Sequence, residues 1–489
     1  MVKQKFYITT AIDYVNSDPH LGHAYEKTIA DVIARWKKIN GFDVFFLTGT
    51  DENASKVAKA AKEEGAKNLR DIQRFVDKKA ERFKELCKVL NIDYSFFIRT
   101  TDKKHKKRAK EFFKLLYERG YLYKGKYKGF YCINCEAFYN QQKCPIHQIK
   151  LKELEEENYF FKLSLFKDRL IKIISNYVFP EKYAKEILKR LETEELKDLS
   201  VSREKLKWGI KVPFDKKQTI YVWIDALSNY ITALDWPNGR KFKKYWPADI
   251  HVIGKDINWF HSVIWPSLLM ALNIELPKKL FVHGFINLEG EKLSKARGIV
   301  VDPFELVKKY GSDILRYYLM SSTAIGDDMD FDENKIVQAN NELADKLGNL
   351  VSRVIGLAKE KEIKKCRVKN KTKNFVEEKV KEIRKDFDNY EFSLGIKKII
   401  ELLDFFNKYI QENKLWELEG ANLQQHLYFL CEGIRLTTLL FYPIMPNIAN
   451  TIAKLYGFEI KNIKDCKFGK KKEYWLKEKE ILFKKFNFY

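Results

Sequence analysis

No apolar run in the sequence approaches the about 18 residues needed to cross a bilayer. The apolar stretch Leu436–Ala449 is interrupted by two prolines. The first residues, MVKQKFYITT, hold neither an apolar signal segment nor a cleavage site and lead straight into a strand-like pattern. These absences exclude a membrane-spanning helical protein and point to the cytoplasm. There is no internal repeat and no low-complexity tract. Cysteines number only seven, three of them clustered and four scattered. That excludes a disulfide scaffold and suggests a metal site plus buried thiols in a reducing compartment. Acidic residues are in deficit: 67 Asp and Glu face 91 Lys and Arg, giving a net charge of +24. Such an excess suits a polyanionic partner, most often nucleic acid.

What is present is a long globular chain. Its 489 residues, 45% hydrophobic and 32% charged, suffice for about three domains with a real core. Residues 5–12 pattern as a strand, and a period near 3.6 runs from Leu21 to Ile39. Val44–Thr48 reads as a buried parallel strand, completing a βαβ unit. Helical patterns follow at 55–64, 71–90 and 102–119. From Gly120 to about Ser200 short strand-like pieces and a charged helical stretch look like an insertion within a split sheet. Strand signals return at Ile220–Ile224, Ile250–Ile253 and Leu280–Val282. Beyond Asp332 the pattern is helical, interrupted by the basic segment Lys361–Asn374. The tail Lys470–Lys485 reads as an amphipathic helix.

Two short motifs bear on phosphate chemistry. His20-Leu21-Gly22-His23 lies between strand and helix, where two imidazoles and the positive end of the helix dipole can meet phosphate oxygens. Gly290-Glu291-Lys292-Leu293-Ser294-Lys295-Ala296-Arg297-Gly298 is a glycine-bracketed cationic loop able to neutralise a departing pyrophosphate. Each is weak alone. Together, about 270 residues apart across a split sheet, they resemble the two signatures of class I aminoacyl-tRNA synthetases. KLSKA departs from the usual KMSKS at its second and fifth positions but keeps both lysines and the serine.

Segments spread along the chain resemble methionyl-tRNA synthetases in particular: AIDYVNSDPHLGHAYEKTIADVIARW, FLTGTDEN, DLSVSR, WGIKVPFD, YVWIDALSNYI, VIGKDINWFHSVIWP, VHGFINLEGEKLSKARG and GNLVSR. The resemblance implies ATP-dependent activation of methionine and its transfer to tRNA(Met), initiator included. It implies a Rossmann-type α/β catalytic domain split by a zinc-knuckle insertion, followed by an all-α anticodon-binding bundle. The domains would be residues 1–118 and 203–272 (the two halves of the catalytic domain), 119–202 (the insertion), 273–338 (a stem-contact region with the KLSKA loop) and 339–489 (the helical domain with a C-terminal helix).

By the same resemblance, methionine would be held by Ile12, Tyr14, Asp51, Trp223, Tyr230 and His261. Asp51 would take the ammonium, while Tyr230 and His261 would recognise the thioether. ATP, with Mg2+, would be held by His20, Gly22, His23, Gly254, Asp256, Lys292, Ser294 and Lys295, with His20, His23, Lys292 and Lys295 catalytic. Asn349, Arg353 and Trp416 match positions that read or stack on anticodon bases. Chemistry agrees: a thioether is a weak acceptor suited to an aromatic slot ending in one or two donors. Splayed bases need an aromatic platform and base-edge hydrogen bonds.

Two departures stand out. Asp13 occupies a position where many relatives carry an apolar or aromatic residue, and Asn53-Ala54 one where they often read His-Gly. Cys132-x2-Cys135 and Cys144-x2-His147 form two close pairs of soft ligands, the pattern of a closed, structural Zn2+ site. An insertion of about 85 residues is too small for the editing domain that isoleucine, valine and leucine enzymes need, because an apolar pocket discriminates a methylene only ~10–200-fold. The remaining alternatives are a cysteinyl enzyme, a synthetase-derived RNA-binding protein without catalysis, and a nucleotidylyltransferase. Without a further C-terminal tRNA-binding module, a monomer is expected.

Overall fold

The computed structural model describes residues 3–132, 137–139, 141–145, 148–204, 206–288, 291–292, 301–358 and 360–487. Its centre is a parallel sheet. Strand β1 (Lys5–Thr10) pairs with β3 (Asp43–Asp51) on one side and with Ile250–Gly254 on the other. Beyond β3 lies β4 (Phe96–Arg99), and the short β2 (Asp13–Tyr14) joins the end of β3 at Thr50 and Asp51. Beyond Ile250–Gly254 lie Leu280–His283 and then Val178–Phe179. The chain therefore builds outward from β1 in one direction and later returns to build in the other. Ligand crevices open at the carboxyl ends of strands where the order reverses in this way. The apolar strands fit burial on both faces, with Tyr7, Ile8, Phe46, Leu47, Val252 and Val282 all inaccessible.

Val178–Phe179 belongs to the segment read as an insertion, yet it supplies the edge strand of the catalytic sheet. The rest of that segment is an antiparallel sheet of Ala137–Tyr139, Leu122–Cys132, Lys152–Phe161 and Leu199–Ser200, with helices at Lys167–Tyr177 and Glu181–Thr193. Two sequence expectations are corrected. The Ile220–Ile224 strand ends at Ile220, and the helix Val222–Thr232 begins two residues on. A short apolar run buried on every side does not distinguish strand from helix by periodicity. The tail Lys470–Lys485 is not a helix. Glu473–Trp475 pairs antiparallel with Glu362–Lys364, and the residues beyond it have no regular structure. Tyr474 and Leu476 alternate inward there, and a buried bond from the Tyr474 hydroxyl to Glu432 fixes the pairing. The remainder of the C-terminal region is helical, as expected, and no helix among the described residues is long and apolar enough to cross a membrane.

Helix α1 (Leu21–Ile39) lies between the sheet and the C-terminal helices, with 15 of its 19 residues buried. Burial on that scale encloses charges, and each is paired. Asp31 accepts from Arg35 Nε at 2.7 Å and from the Asp93 amide at 2.8 Å, and it lies 2.7 Å from Arg316 Nη2. Arg316, also inaccessible, donates to the carbonyls of Leu90, Pro443 and Ile444. Burial pushes the Asp31 carboxyl up, but Arg316 and Arg35 outweigh it and hold the group below its ordinary range. Trp36 Nε1 donates to Asp388 at 2.8 Å, a second tie to the helical region.

Removing one member of a buried ion cluster leaves its partners uncompensated. Asp31→Ala is therefore expected to cost roughly 3–5 kcal/mol in denaturant unfolding. A loss below about 1 kcal/mol, the range of an exposed pair, would contradict the anchoring role.

Candidate active site at the carboxyl ends of the strands

A cleft of about 390 Å³ opens where β1, β3, Ile250–Gly254 and Leu280–His283 end. Ile12, Tyr14, His20, Gly22, His23, Asp51, Trp223, Tyr230, Gly254, Asp256 and His261 all line it, drawn from five separate stretches of sequence. Each is a residue singled out from the sequence.

The HLGH motif builds its own helix start. His20 is the N-cap of α1, and the Gly22 amide donates to its Nδ1 at 3.1 Å. In return, the His20 amide donates to His23 Nδ1 at 3.0 Å. The two side chains thus satisfy orphan N–H groups of the first turn reciprocally, as in a capping box. Since both Nδ1 atoms accept, each neutral ring carries its proton on Nε2. Gly22 permits this arrangement: a Cβ there would fall 2.9 Å from His20 Cε1.

At the aromatic end, Trp223 stacks on Phe260 with ring centroids 3.6 Å apart and planes at 10°. Tyr14 meets Trp223 edge-on at 6.3 Å. Tyr230 Oη lies 2.7 Å from His261 Nε2, and His261 Nδ1 lies 3.0 Å from the Ile257 carbonyl. A carbonyl only accepts, so Nδ1 carries the ring proton and the Tyr230 hydroxyl donates to Nε2. Burial lowers the His261 pKa to about 4 and raises that of Tyr230 well above its ordinary value, so both stay neutral. Trp265 is wholly buried and does not line the cleft.

In the same cleft, Asp51 closes β3 and is 2% exposed. Gly254 ends its strand tightly against Asp256: a Cβ there would lie 2.9 Å from Asp256 Oδ1. Asp13, noted in the sequence as a departure, also lines the cleft, and sequence reading missed Glu26, Lys56, Phe260, His283 and Phe285. Asp13 pairs at 2.5 Å with Lys27, an inaccessible lysine of α1. Glu26 meets His283 Nε2 at 3.3 Å. The Lys56 ammonium sits 3.1 Å from the centre of the Tyr14 ring. The available signal was modest: Glu26 and Lys27 are charges on the buried face of a helix otherwise apolar in pattern.

Other predicted residues lie elsewhere. Glu291–Lys292 pairs with Ile286–Leu288, whereas Ser294 and Lys295 fall outside the described residues. Cys132 and Cys144 are both inaccessible and cluster with Leu151, with Phe130 packed against them. Cys135 and His147 lie outside the described residues, and among those described no group of three potential ligands is assembled. Asn349 opens the helix Asn349–Leu357, which also carries the half-buried Arg353. Trp416, in the short turn Leu415–Glu417, is 51% exposed, so it is a surface platform and not core.

Known proteins share this architecture. The family model described as class I (M) tRNA synthetases matches residues 6–153 and 141–355, and the anticodon-binding domain of tRNA ligases matches 373–488. The methionine–tRNA ligase of Thermotoga maritima is 42% identical over 486 residues, covering 94% of this chain and 76% of that protein. The corresponding enzyme of Caldanaerobacter subterraneus subsp. tengcongensis is 40% identical, covering 99% and 79%. The crystal structure of Mycobacterium tuberculosis methionyl-tRNA synthetase bound by methionyl-adenylate superposes with a TM-score of 0.93 at 32% identity, covering 98% of this chain and 100% of that one. Sequence and fold coincide over nearly the full length, and the chain belongs to the methionyl-tRNA synthetases.

Proposed function

We propose that this cleft performs the family's reaction with the residues that line it. The protein is a methionine–tRNA ligase: it activates L-methionine with ATP to methionyl-adenylate and pyrophosphate, then transfers methionine to the 3′ end of tRNA(Met). The carrying observation is that two unlike features share one cleft. A buried carboxylate, Asp51, stands in the same cleft as a neutral aromatic slot closed by Tyr230 and His261. Methionine has the matching shape, an ammonium at one end and a soft thioether at the other. The Tyr230 hydroxyl hydrogen is committed to His261, so sulfur meets mainly aromatic edges and polarisable surface there. Ile12, Tyr14 and Trp223 supply the rest of the wall.

The ATP phosphates take the other branch, over His20, Gly22 and His23. Each histidine spends its Nδ1 on capping the helix, so its Nε2–H is the donor assigned to phosphate oxygens, that of His23 lying 3.9 Å from Asp13 Oδ1. Asp256 and Gly254 are assigned to the ribose. Methionine's carboxylate attacks the α-phosphate of Mg·ATP, and pyrophosphate leaves with its charge met by Lys292, Ser294 and Lys295. The terminal adenosine hydroxyl of tRNA then attacks the adenylate. No protein nucleophile is required; positioning and electrostatics carry both steps. Asn349, Arg353 and the exposed Trp416 are assigned to anticodon bases, initiator tRNA included, and the enzyme is read as a cytoplasmic monomer.

The donor set of the insertion fits zinc. Among the described residues, two inaccessible cysteines share a small cluster with buried Leu151 and the partly buried Phe130, where a metal cross-link would add to the packing. Cys132, Cys135, Cys144 and His147 would hold one structural Zn2+, whose chemistry there is cross-linking.

Two experiments test these readings. ATP–pyrophosphate exchange across the twenty amino acids is expected with methionine alone; exchange with a different amino acid overturns the pocket assignment. Purified protein is expected to carry one zinc per chain, with Cys144→Ser losing it while keeping methionine-dependent exchange. Metal-free protein with full tRNA charging would contradict the knuckle.

A further inference from the structure

Asp225 is 1% exposed and forms no ion pair with a Lys or Arg among the described residues, although Lys106, on the same helix as His105, feels its charge. Its partners are Asn53 and His105. Asn53 Nδ2 donates to Asp225 Oδ2 at 2.7 Å, and His105 Nε2 lies 2.6 Å from Oδ1. The second amide hydrogen of Asn53 reaches the Thr100 carbonyl at 3.0 Å, and its backbone amide lies 3.4 Å from Asp51 Oδ1. His105 Nδ1 closes the network on Thr232 Oγ1 at 2.8 Å. Asn53 and His105 are themselves 3% and 2% exposed. Burying a carboxylate is costly, and apolar side chains of similar volume would serve stability at least as well. The network therefore calls for a reason beyond stability.

Its placement supplies one. Asn53 belongs to the turn that leaves β3 just after Asp51. Asp225 and Thr232 lie on the helix Val222–Thr232, which also carries Trp223 and Tyr230. His105 comes from the helix Lys103–Glu118, packed against that helix. One hydrogen bond thus ties the strand end bearing the ammonium-binding carboxylate to the helix bearing the thioether slot. In the parallel sheet itself, these two elements are not neighbours: the helix makes no strand pairing, and it follows β3 by some 170 residues.

We infer that the Asn53–Asp225 bond, backed by His105, fixes the length of the amino-acid pocket, making Asn53 and Asp225 positioning residues for methionine. This rests on the assignment of Asp51 and Tyr230–His261 to the two ends of the substrate. Displacing the helix along the cleft by less than a bond length would change which side-chain length spans it, and misplacement on that scale is enough to matter. The turn residue need not touch substrate to decide which amino acid is activated.

The test uses the full-length enzyme in ATP–pyrophosphate exchange, with methionine and with ethionine, one methylene longer. Asn53→Asp sets a carboxylate against Asp225, and Asp225→Asn sets two amides together with His105 still bonded. Each is expected to raise KM for methionine roughly tenfold and to narrow the preference over ethionine. KM for ATP should stay within about twofold of wild type, because the histidine motif sits on a separate helix. The double variant N53D/D225N reverses donor and acceptor: the amide now at position 225 donates to the carboxylate now at position 53 and still accepts from His105, so part of the loss should return, the remainder reflecting the bond to the Thr100 carbonyl that a carboxylate cannot make. Asn53→Ala, which adds no charge, carries the same expectation should Asn53→Asp not fold. Unchanged KM for methionine, equal rises in KM for methionine and ATP, or a double variant no better than the worse single one would overturn the inference. A wild-type chain that fails to exchange with methionine strikes the pocket assignment instead; an active wild type beside unmoved variants strikes the clamp alone.

Discussion

Everything in this molecule is arranged around one helix that has no exposed side to spare. Helix α1 starts in the active-site cleft with a histidine at its N-cap and ends among the C-terminal helices. Between those ends it buries Glu26, Lys27, Asp31 and Arg35. A charge inside a protein must be paired or it neutralises, so each of these residues dictates something on a neighbouring element. Lys27 demands Asp13 beside the cleft, Glu26 draws in His283 from the last sheet strand, and Asp31 gathers Arg35 and Arg316. Arg316 in turn satisfies carbonyls at Pro443 and Ile444, the turn that joins two C-terminal helices. The position of the catalytic motif is thereby tied to the region that carries the anticodon-binding match.

This view also accounts for the two departures from the family pattern near the amino-acid site. Asp13 looks out of place in a sequence comparison because its partner, Lys27, is 14 residues away on α1. Asn53 looks like the loss of a histidine, yet its side-chain and backbone amides serve three groups at once, among them a carboxylate from another layer. Both side chains are unusual for their positions, and both have partners within this chain. Each departure is matched by partners elsewhere in the chain.

Much of the fold was legible from periodicity. The 3.6-residue pattern located α1 to the residue, and the apolar runs near Val44, Ile250 and Leu280 became parallel strands of one sheet because such strands are buried on both faces. Legibility failed where tertiary contact decides. The two-residue edge strand Val178–Phe179 has too few residues to show a period, and only its pairing with Leu280 and Phe281 defines it. The run Ile220–Ile224 is apolar on every side and so carries no phase. In the tail, Lys and Glu spacing suggested a helix, but Tyr474 inserts toward Glu432 and pulls the chain into a strand. The cleft was legible through motifs, and its supporting charges were not: Lys27, Glu26 and His283 acquire meaning only when the fold closes on them.

In the proposed complex, methionine lies with its ammonium at Asp51 and its sulfur against Tyr230, His261 and Trp223, with the adenylate phosphate over the two histidines. A crystal structure of the protein with a non-hydrolysable methionyl-adenylate analogue tests this most directly, since the anomalous signal of sulfur locates one end of the ligand and the phosphorus the other. The account predicts sulfur in the aromatic slot, the ammonium bonded to Asp51, and the phosphate oxygens accepting from the Nε2–H groups of His20 and His23. A ligand lying in the reverse direction, or with its sulfur outside the slot, would contradict it.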